Sequence, residues 1–188
     1  TLMRRKFARA KLELRGKKVF LRPPQSDDFS QFAELMKKSA FRFRGLIGKL
    51  NGRKQFNEYL RRCKRDDFFG FLICQRGGDT VVGRINLFHI IRRGLQSANV
   101  GYFVGAPFAQ QGYATEALQL MLRFAFKELT LHRVEADIQS HNMASIALVK
   151  RAGFTCEGLS RRLVKIAGKW RDHERWAILA EDWRKQRR

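Results

Sequence analysis

"AQQGYATEAL", residues 109–118, is the stretch on which the reading of this chain turns. It follows "NVGYFVG" (99–105), whose alternation reads as a strand, and it opens "EALQLMLRFAFKE" (116–128), whose apolar spacing reads as a helix. Helices commonly begin with a Ser, Thr, Asp or Asn that caps the first turn. Here the turn is built from Gln110, Gln111, Gly112, Tyr113, Ala114 and Thr115. A helix start exposes unpaired N–H groups and the positive end of the helix dipole, so it suits a phosphate. Gly112 lets the backbone approach a ligand closely, and Ala114 is small for the same reason. Taken alone, the stretch also reads as an ordinary loop-to-helix turn.

Outward from this turn the chain alternates clearly between periods. "KKVFLRPP" is a short strand stopped by Pro23 and Pro24. "SDDFSQFAELMKKS" predicts a helix capped by Ser26 or Asp27, with Phe29, Phe32, Ala33 and Met36 on one face. Residues 40–53 read as loop and "KQFNEYLRRCKR" as a second helix. "FFGFLICQ", the turn "RGGD" and "TVVGRINLFHII" form a hairpin, and "SANVGYFVG" follows as a third strand. After the helix, "HRVEADIQ" alternates as a strand, "HNMASIALVKRAGF" is a short helix ending at Gly153, and two last strands flank "AGKW". The order predicts a mixed sheet with helices packed on it.

Composition narrows the class. The 188 residues suit one compact domain, expected as a basic arm over about 1–16, a core over about 17–180 and a short basic tail. Hydrophobic residues make up 44%, with 16 Phe, which excludes a disordered chain. No apolar run approaches membrane-spanning length. The Arg-rich start, "MRRKFARAK", reads more simply as a basic arm than as an organellar presequence. Cys63, Cys74 and Cys156 are isolated, so neither a disulfide framework nor a metal site is expected, and a reduced, cytoplasmic setting fits. Lys and Arg number 39 against 17 Asp and Glu, a formal charge of +22, which points to a polyanion such as RNA nearby; no nucleic-acid motif accompanies it.

Three stretches carry a family resemblance: "GYFVGAPFAQQGYATEAL", "HRVEADIQSHNMASIALVKRAGFTCEG" and "GKWRDH". Together they resemble the GNAT N-acetyltransferase superfamily over roughly residues 17–180, closest to ribosomal-protein-alanine N-acetyltransferases of the RimJ type. The resemblance implies an α/β (α+β) fold, a mixed, mostly antiparallel sheet with helices on both faces. It also implies acetyl-CoA as cofactor, and transfer of acetyl to an amine by direct attack on the thioester. It assigns the coenzyme pyrophosphate to residues 110–115 and the thioester oxygen to backbone donors at Phe103 and Val104. Asn142 falls beside the pantetheine, and Ser145 beside the departing thiolate. The spacing of three between Asn142 and Ser145 places them on one helical face; helix capping is the plainer role for Asn142. The chain departs from the pattern at Ala109 and Gln110, where a side-chain contact to phosphate is lost, and at Val149, where many members carry a Tyr acid.

No general base stands out. Val164 is the nearest counterpart of the Glu that some relatives use, although Glu157 lies earlier; Glu135, Asp137, His141, Asp172 and Glu174 are further candidates that read more simply as surface or structural positions. His89, His132 and His173 read as ordinary polar positions, and Trp170, Trp176 and Trp183 as core sooner than groove. The missing base favours an α-amine acceptor. At pH 7 roughly 14% of an α-amine is neutral, against about 0.04% of a lysine amine. The expected partner is therefore a protein N-terminus, on a ribosomal particle that would attract the basic enzyme. A small-molecule amine acetyltransferase and a non-catalytic RNA-binding protein are the alternatives. Residues 40–66 and the terminal hairpin are the expected walls of the acceptor groove.

Overall fold

The run "FFGFLICQ" fails to alternate because both of its faces are covered. Phe69, Phe71 and Ile73 join one buried cluster, while Phe68, Leu72 and Cys74 join another on the opposite side of the same strand. The computed structural model describes residues 12–46 and 52–186. Its elements run β1 (Leu14–Arg15), β2 (Val19–Arg22), α1 (Phe29–Lys38), α2 (Arg53–Arg62), β3 (Phe69–Gln75), β4 (Val81–Ile91), β5 (Ser97–Val104), α3 (Tyr113–Arg123), β6 (Arg133–Ile138), α4 (Met143–Arg151), β7 (Thr155–Ile166), β8 (Lys169–Leu179) and α5 (Ala180–Lys185).

The strands form one eight-stranded sheet in the order β1-β2-β3-β4-β5-β6-β8-β7. Every neighbouring pair is antiparallel except β5–β6. That pair is parallel because α3 carries the chain across the sheet between the two strands, as a parallel connection requires. Helices α1 and α2 cover one face through Phe32, Leu35, Met36, Phe56 and Tyr59. Helices α3, α4 and α5 cover the other through residues that include Leu118, Met121, Ile146, Val149 and Trp183. The expected mixed, mostly antiparallel sheet with helices on both faces is what forms.

Four local readings change. The part of the expected basic arm within the described residues is an edge strand: Leu14 pairs with Leu21, and Leu12 and Leu14 pack on the core. The expected C-terminal tail begins as a helix, because Trp183 is buried against Phe126 with ring centroids 5.4 Å apart. Neither Ser26 nor Asp27 caps α1. Asp28 instead accepts from the Gln25 N–H at 2.6 Å and is gripped from both sides of its carboxylate by Arg22, at 2.7 and 2.8 Å. The helix expected through residue 128 widens at its end into a π turn over Phe124–Glu128, where the Leu129 N–H donates to the Phe124 carbonyl at 3.0 Å. That turn seats Phe124 edge-on against Phe69 and Phe71.

Candidate active site

Strands β5 and β6 pair over three residues only, Ser97 to Asn99 against Arg133 to Glu135. Beyond that point both strands continue but no longer pair; the Asn99 carboxamide still donates across to the Asp137 carboxylate at 3.2 Å. A cleft of about 720 Å³ opens where they part, walled by Val100–Val104 on one side and Ala136–Gln139 on the other. It reaches both faces of the sheet, touching the start of α3 and one side of α4, and also Phe43 and Arg62 beside α1 and α2.

Strand alternation decides which amides face this gap. The Gly105 N–H donates to the Val82 carbonyl on β4 at 2.9 Å. One residue earlier, the Val104 N–H therefore faces away from β4, toward the gap, as does that of Tyr102. Phe103, expected to share the donor role, is paired with Arg84 and turns its N–H to β4. Its ring lines the cleft instead, packed against Phe32 and Phe43 at 6.1 and 5.1 Å.

At the cleft's α3 end, the turn over residues 109–115 has the shape its sequence implies. Gly112 stands at the helix cap with φ 83°, a left-handed conformation, and no side chain caps the helix. The N–H groups of Tyr113, Ala114 and Thr115 are thus left without intrahelical partners. Gln110 shares the left-handed backbone, with φ 62°. Gln110, Gly112, Tyr113, Ala114 and Thr115 line the cleft, but Gln111 does not. The Gln111 amide folds back to donate to the Pro107 carbonyl at 3.3 Å. The Tyr113 side chain is turned into the core, where its hydroxyl accepts from Gln75 at 3.0 Å, so that residue offers the cleft only its backbone.

Two residues that the sequence did not single out hold this turn. Lys18, from the turn before β2, donates its ammonium to the Gln111 carbonyl at 3.0 Å. A Cβ placed on Gly112 would lie 3.2 Å from that ammonium. Lys18 thus brings beside the turn a positive charge that Ala109 does not supply. The Glu116 carboxylate, in the first turn of α3, accepts three backbone N–H bonds from Lys17, Lys18 and Val19 at 2.8, 2.7 and 2.8 Å. Separations of 93 residues for Lys18 and 97 to 99 for Glu116 hide both contacts from any local reading.

Asn142 and Ser145 line the cleft together at the start of α4. Asn142 is the helix cap, and its Oδ1 accepts from the Ser145 N–H at 3.3 Å. The capping role and the cleft position coexist. Across the gap, the Tyr102 hydroxyl meets the Ser145 carbonyl at 3.5 Å, at the long limit of a hydrogen bond. Burial pushes this phenol up to about 12, which keeps it protonated. Val149 is buried and offers no acid.

The remaining titratable residues sort by position. Glu135 accepts from Arg133 and Arg175, Glu157 from Arg133, Asp172 from the Arg162 N–H and Glu174 from the Trp176 indole. Val164 lies half-exposed on β7 and His141 is exposed at the surface; neither lines the cleft. Asp137 and His173 do. Desolvation raises the Asp137 carboxyl above its usual value, against the pull of Arg175, whose Nε lies 2.8 Å away. His173, read from sequence as an ordinary polar position, is buried with Nδ1 3.0 Å from the Arg171 carbonyl. Cys63 and Cys74 are each held protonated by burial, pushed up to about 12. Trp176 and Trp183 are core and Trp170 is exposed, so none of the three tryptophans walls the groove. Arg42, Phe43, Leu46 and Arg62 do wall it, from the segment expected to, and residues 47–51 lie outside the described ones.

Comparison with known proteins agrees with this geometry. Residues 18–155 match the acetyltransferase (GNAT) domain family. A probable N-acetyltransferase of Bacillus subtilis, YjcK, is 35% identical over 183 residues, covering 90% of this chain and 98% of that protein. The ribosomal protein uS5-alanine N-acetyltransferase of Escherichia coli is 29% identical over 120 residues, 64% of this chain and 62% of that one. The solved structure of Mycobacterium smegmatis RimJ in complex with CoA-disulfide superposes with a TM-score of 0.77 at 27% identity, over 87% of this chain and 82% of the other. With a parted sheet, an uncapped glycine turn and these relatives in agreement, the chain belongs to the GNAT family and is an N-acetyltransferase.

Proposed function

We propose that this enzyme transfers acetyl from acetyl-CoA to the N-terminal α-amine of a ribosomal protein. The observation that carries the reading is the cleft itself: it opens on both faces of the sheet, with a phosphate-shaped turn at one end and an open acceptor side at the other. The residues present fit the coenzyme. The free amides of residues 113–115, close backbone approach at Gly112 and the Lys18 ammonium suit a diphosphate. Bound there, acetyl-CoA supplies an activated acyl group.

The chain's own groups then have distinct tasks. The Val104 N–H faces the gap and would polarise a carbonyl oxygen placed between the strands. Asn142 fixes the first turn of α4 and so sets the position of Ser145, whose hydroxyl, with that of Tyr102, would be a proton source for the leaving sulfur. His173 would receive the proton that the amine loses. With Nδ1–H donating to the Arg171 carbonyl, its Nε2 is left as the acceptor. Holding both reactants in one cleft supplies the orientation that direct attack needs.

The ribosomal substrate is supported by the named relatives and by charge. A +22 protein repels free basic proteins but is drawn to one seated on RNA. No helix among the described residues is long and apolar enough to cross a membrane, and the proposed reaction belongs in the cytoplasm, where ribosomes and acetyl-CoA meet. Among small amines, the arginines of the cleft disfavour polycations. The test is twofold. Acetyl-CoA at roughly 100 times its Kd should stabilise the fold by about 2.7 kcal/mol in a thermal melt. Acetyl should then pass to ribosomal particles faster than to the isolated proteins, with the difference shrinking in salt; equal transfer at every salt concentration would sink the ribosomal part.

A further inference from the structure

Arg84 stands on β4 with its guanidinium in the cleft wall. Its Nε is buried and makes no hydrogen bond, and no ion pair to it forms among the described residues. What surrounds it is aromatic: the Tyr59 ring lies 4.8 Å from the guanidinium carbon and the Phe103 ring 5.3 Å. Such contacts recover only part of the hydration a buried cation gives up. Burial accordingly lowers its pKa. The charge is not balanced by the rest of the cleft either. The other lining arginines are Arg42, Arg62 and Arg151, and the one carboxylate, Asp137, is already held by Arg175.

Position says which ligand could balance it. Arg84 contacts Tyr59 and Phe103, in the cluster under α1 and α2. The glycine turn of α3 lies with the helices of the opposite face. The diphosphate site and Arg84 are therefore on opposite sides of the sheet, and Arg84 belongs to the acceptor side. Asn86, two residues along β4 and on the same face, also lines the cleft. Its Oδ1 accepts from the Tyr59 hydroxyl at 2.9 Å, which leaves its N–H groups as donors. A planar guanidinium beside a carboxamide donor matches a carboxylate.

We propose that Arg84 and Asn86 form a carboxylate subsite in the acceptor half of the cleft, and that the enzyme selects amines with a carboxylate nearby. In a peptide this is an acidic side chain next to the N-terminal residue; in a free amino acid or dipeptide it is the α-carboxylate. The inference relies on the acetyl-transfer reading for what enters the cleft, and on Arg84 itself for the sign of the charge.

Binding of reaction products tests it without turnover. Calorimetry on the full chain with excess CoA would compare acetyl-Ala-Glu-Leu-amide with acetyl-Ala-Gln-Leu-amide, and acetyl-alanine with acetyl-alanine amide. In at least one pair the carboxylate member should bind tenfold or more tighter, and which pair does so identifies the source. Arg84→Gln should bring that ratio to about one, while Arg162→Gln, which removes an exposed charge elsewhere, should leave it intact. Arg84→Met should melt at or above the parent temperature, since it removes a partly buried cation with no ion pair among the described residues, and should keep its thermal shift with acetyl-CoA. Parity in the parent, no binding of any product, a ratio unchanged in Arg84→Gln, or a large loss of stability in Arg84→Met would overturn the subsite. Loss of the acetyl-CoA shift in the parent would instead overturn the acetyl-transfer reading, and the two failures are separately visible.

Discussion

Helices α3 and α4 both begin at the rim of the cleft, and they begin differently. Helix α4 spends a side chain on its own start, Asn142 closing onto the Ser145 N–H. Helix α3 has a glycine in that place and leaves its first N–H groups uncapped. A capped start gives the fold stability; an uncapped one gives up that stability and keeps its donors for a ligand. The stability lost at α3 is restored from outside. Glu116 gathers the N–H groups of residues 17–19 and ties β2 to the helix without occupying its end.

This contrast can be broken by mutation. Gly112→Glu should have the largest effect. It puts a side chain and a negative charge on a left-handed residue at the coenzyme turn, and should abolish the acetyl-CoA thermal shift, a loss of affinity of about 100-fold or more. Glu116→Ala removes a charged acceptor from three N–H groups and should cost about 1.5–3 kcal/mol of stability in a denaturant titration. Asn142→Ala should cost about 1 kcal/mol, and Asn142→Ser or Asn142→Asp should recover most of it. Equal recovery of turnover by Ser and Asp would confine Asn142 to capping. Lys18→Met should leave stability within about 0.5 kcal/mol and weaken coenzyme binding severalfold in low salt only, as an exposed charge would. If Lys18→Met lost as much affinity as Gly112→Glu, the ammonium and not the free amides would be holding the ligand.

The α3 turn was legible because everything it needs is local. A left-handed glycine, a missing cap residue and a small Ala114 sit within a few positions. The α4 start was legible for the same reason, as were the strands whose period matched their burial. The Glu116 latch and the Lys18 contact were not, since their partners lie about a hundred residues away. Arg84 was hidden differently: a charged residue in an alternating strand looks like its solvent-facing side, and only Tyr59 of α2 and Phe103 of β5, far away in sequence, half-bury it. His173 was missed because it sits mid-strand in the terminal hairpin, and nothing local shows that the strand brings it to the cleft. Phe103 and Val104 looked equivalent in sequence; the register with β4 separates them.

The parting of β5 and β6 has a mechanical side. Five strands on one flank and three on the other are joined in the sheet by three residue pairs. Every other seam between long strands is longer: β3–β4 pairs over six positions and β6–β8 over six. The sheet is therefore two plates riveted at one corner, with helix α3 strapped across the joint. Pulled apart, or warmed, it should yield along that line first, and the amides of Tyr102 and Val104 should exchange with solvent ahead of their neighbours in the same strand.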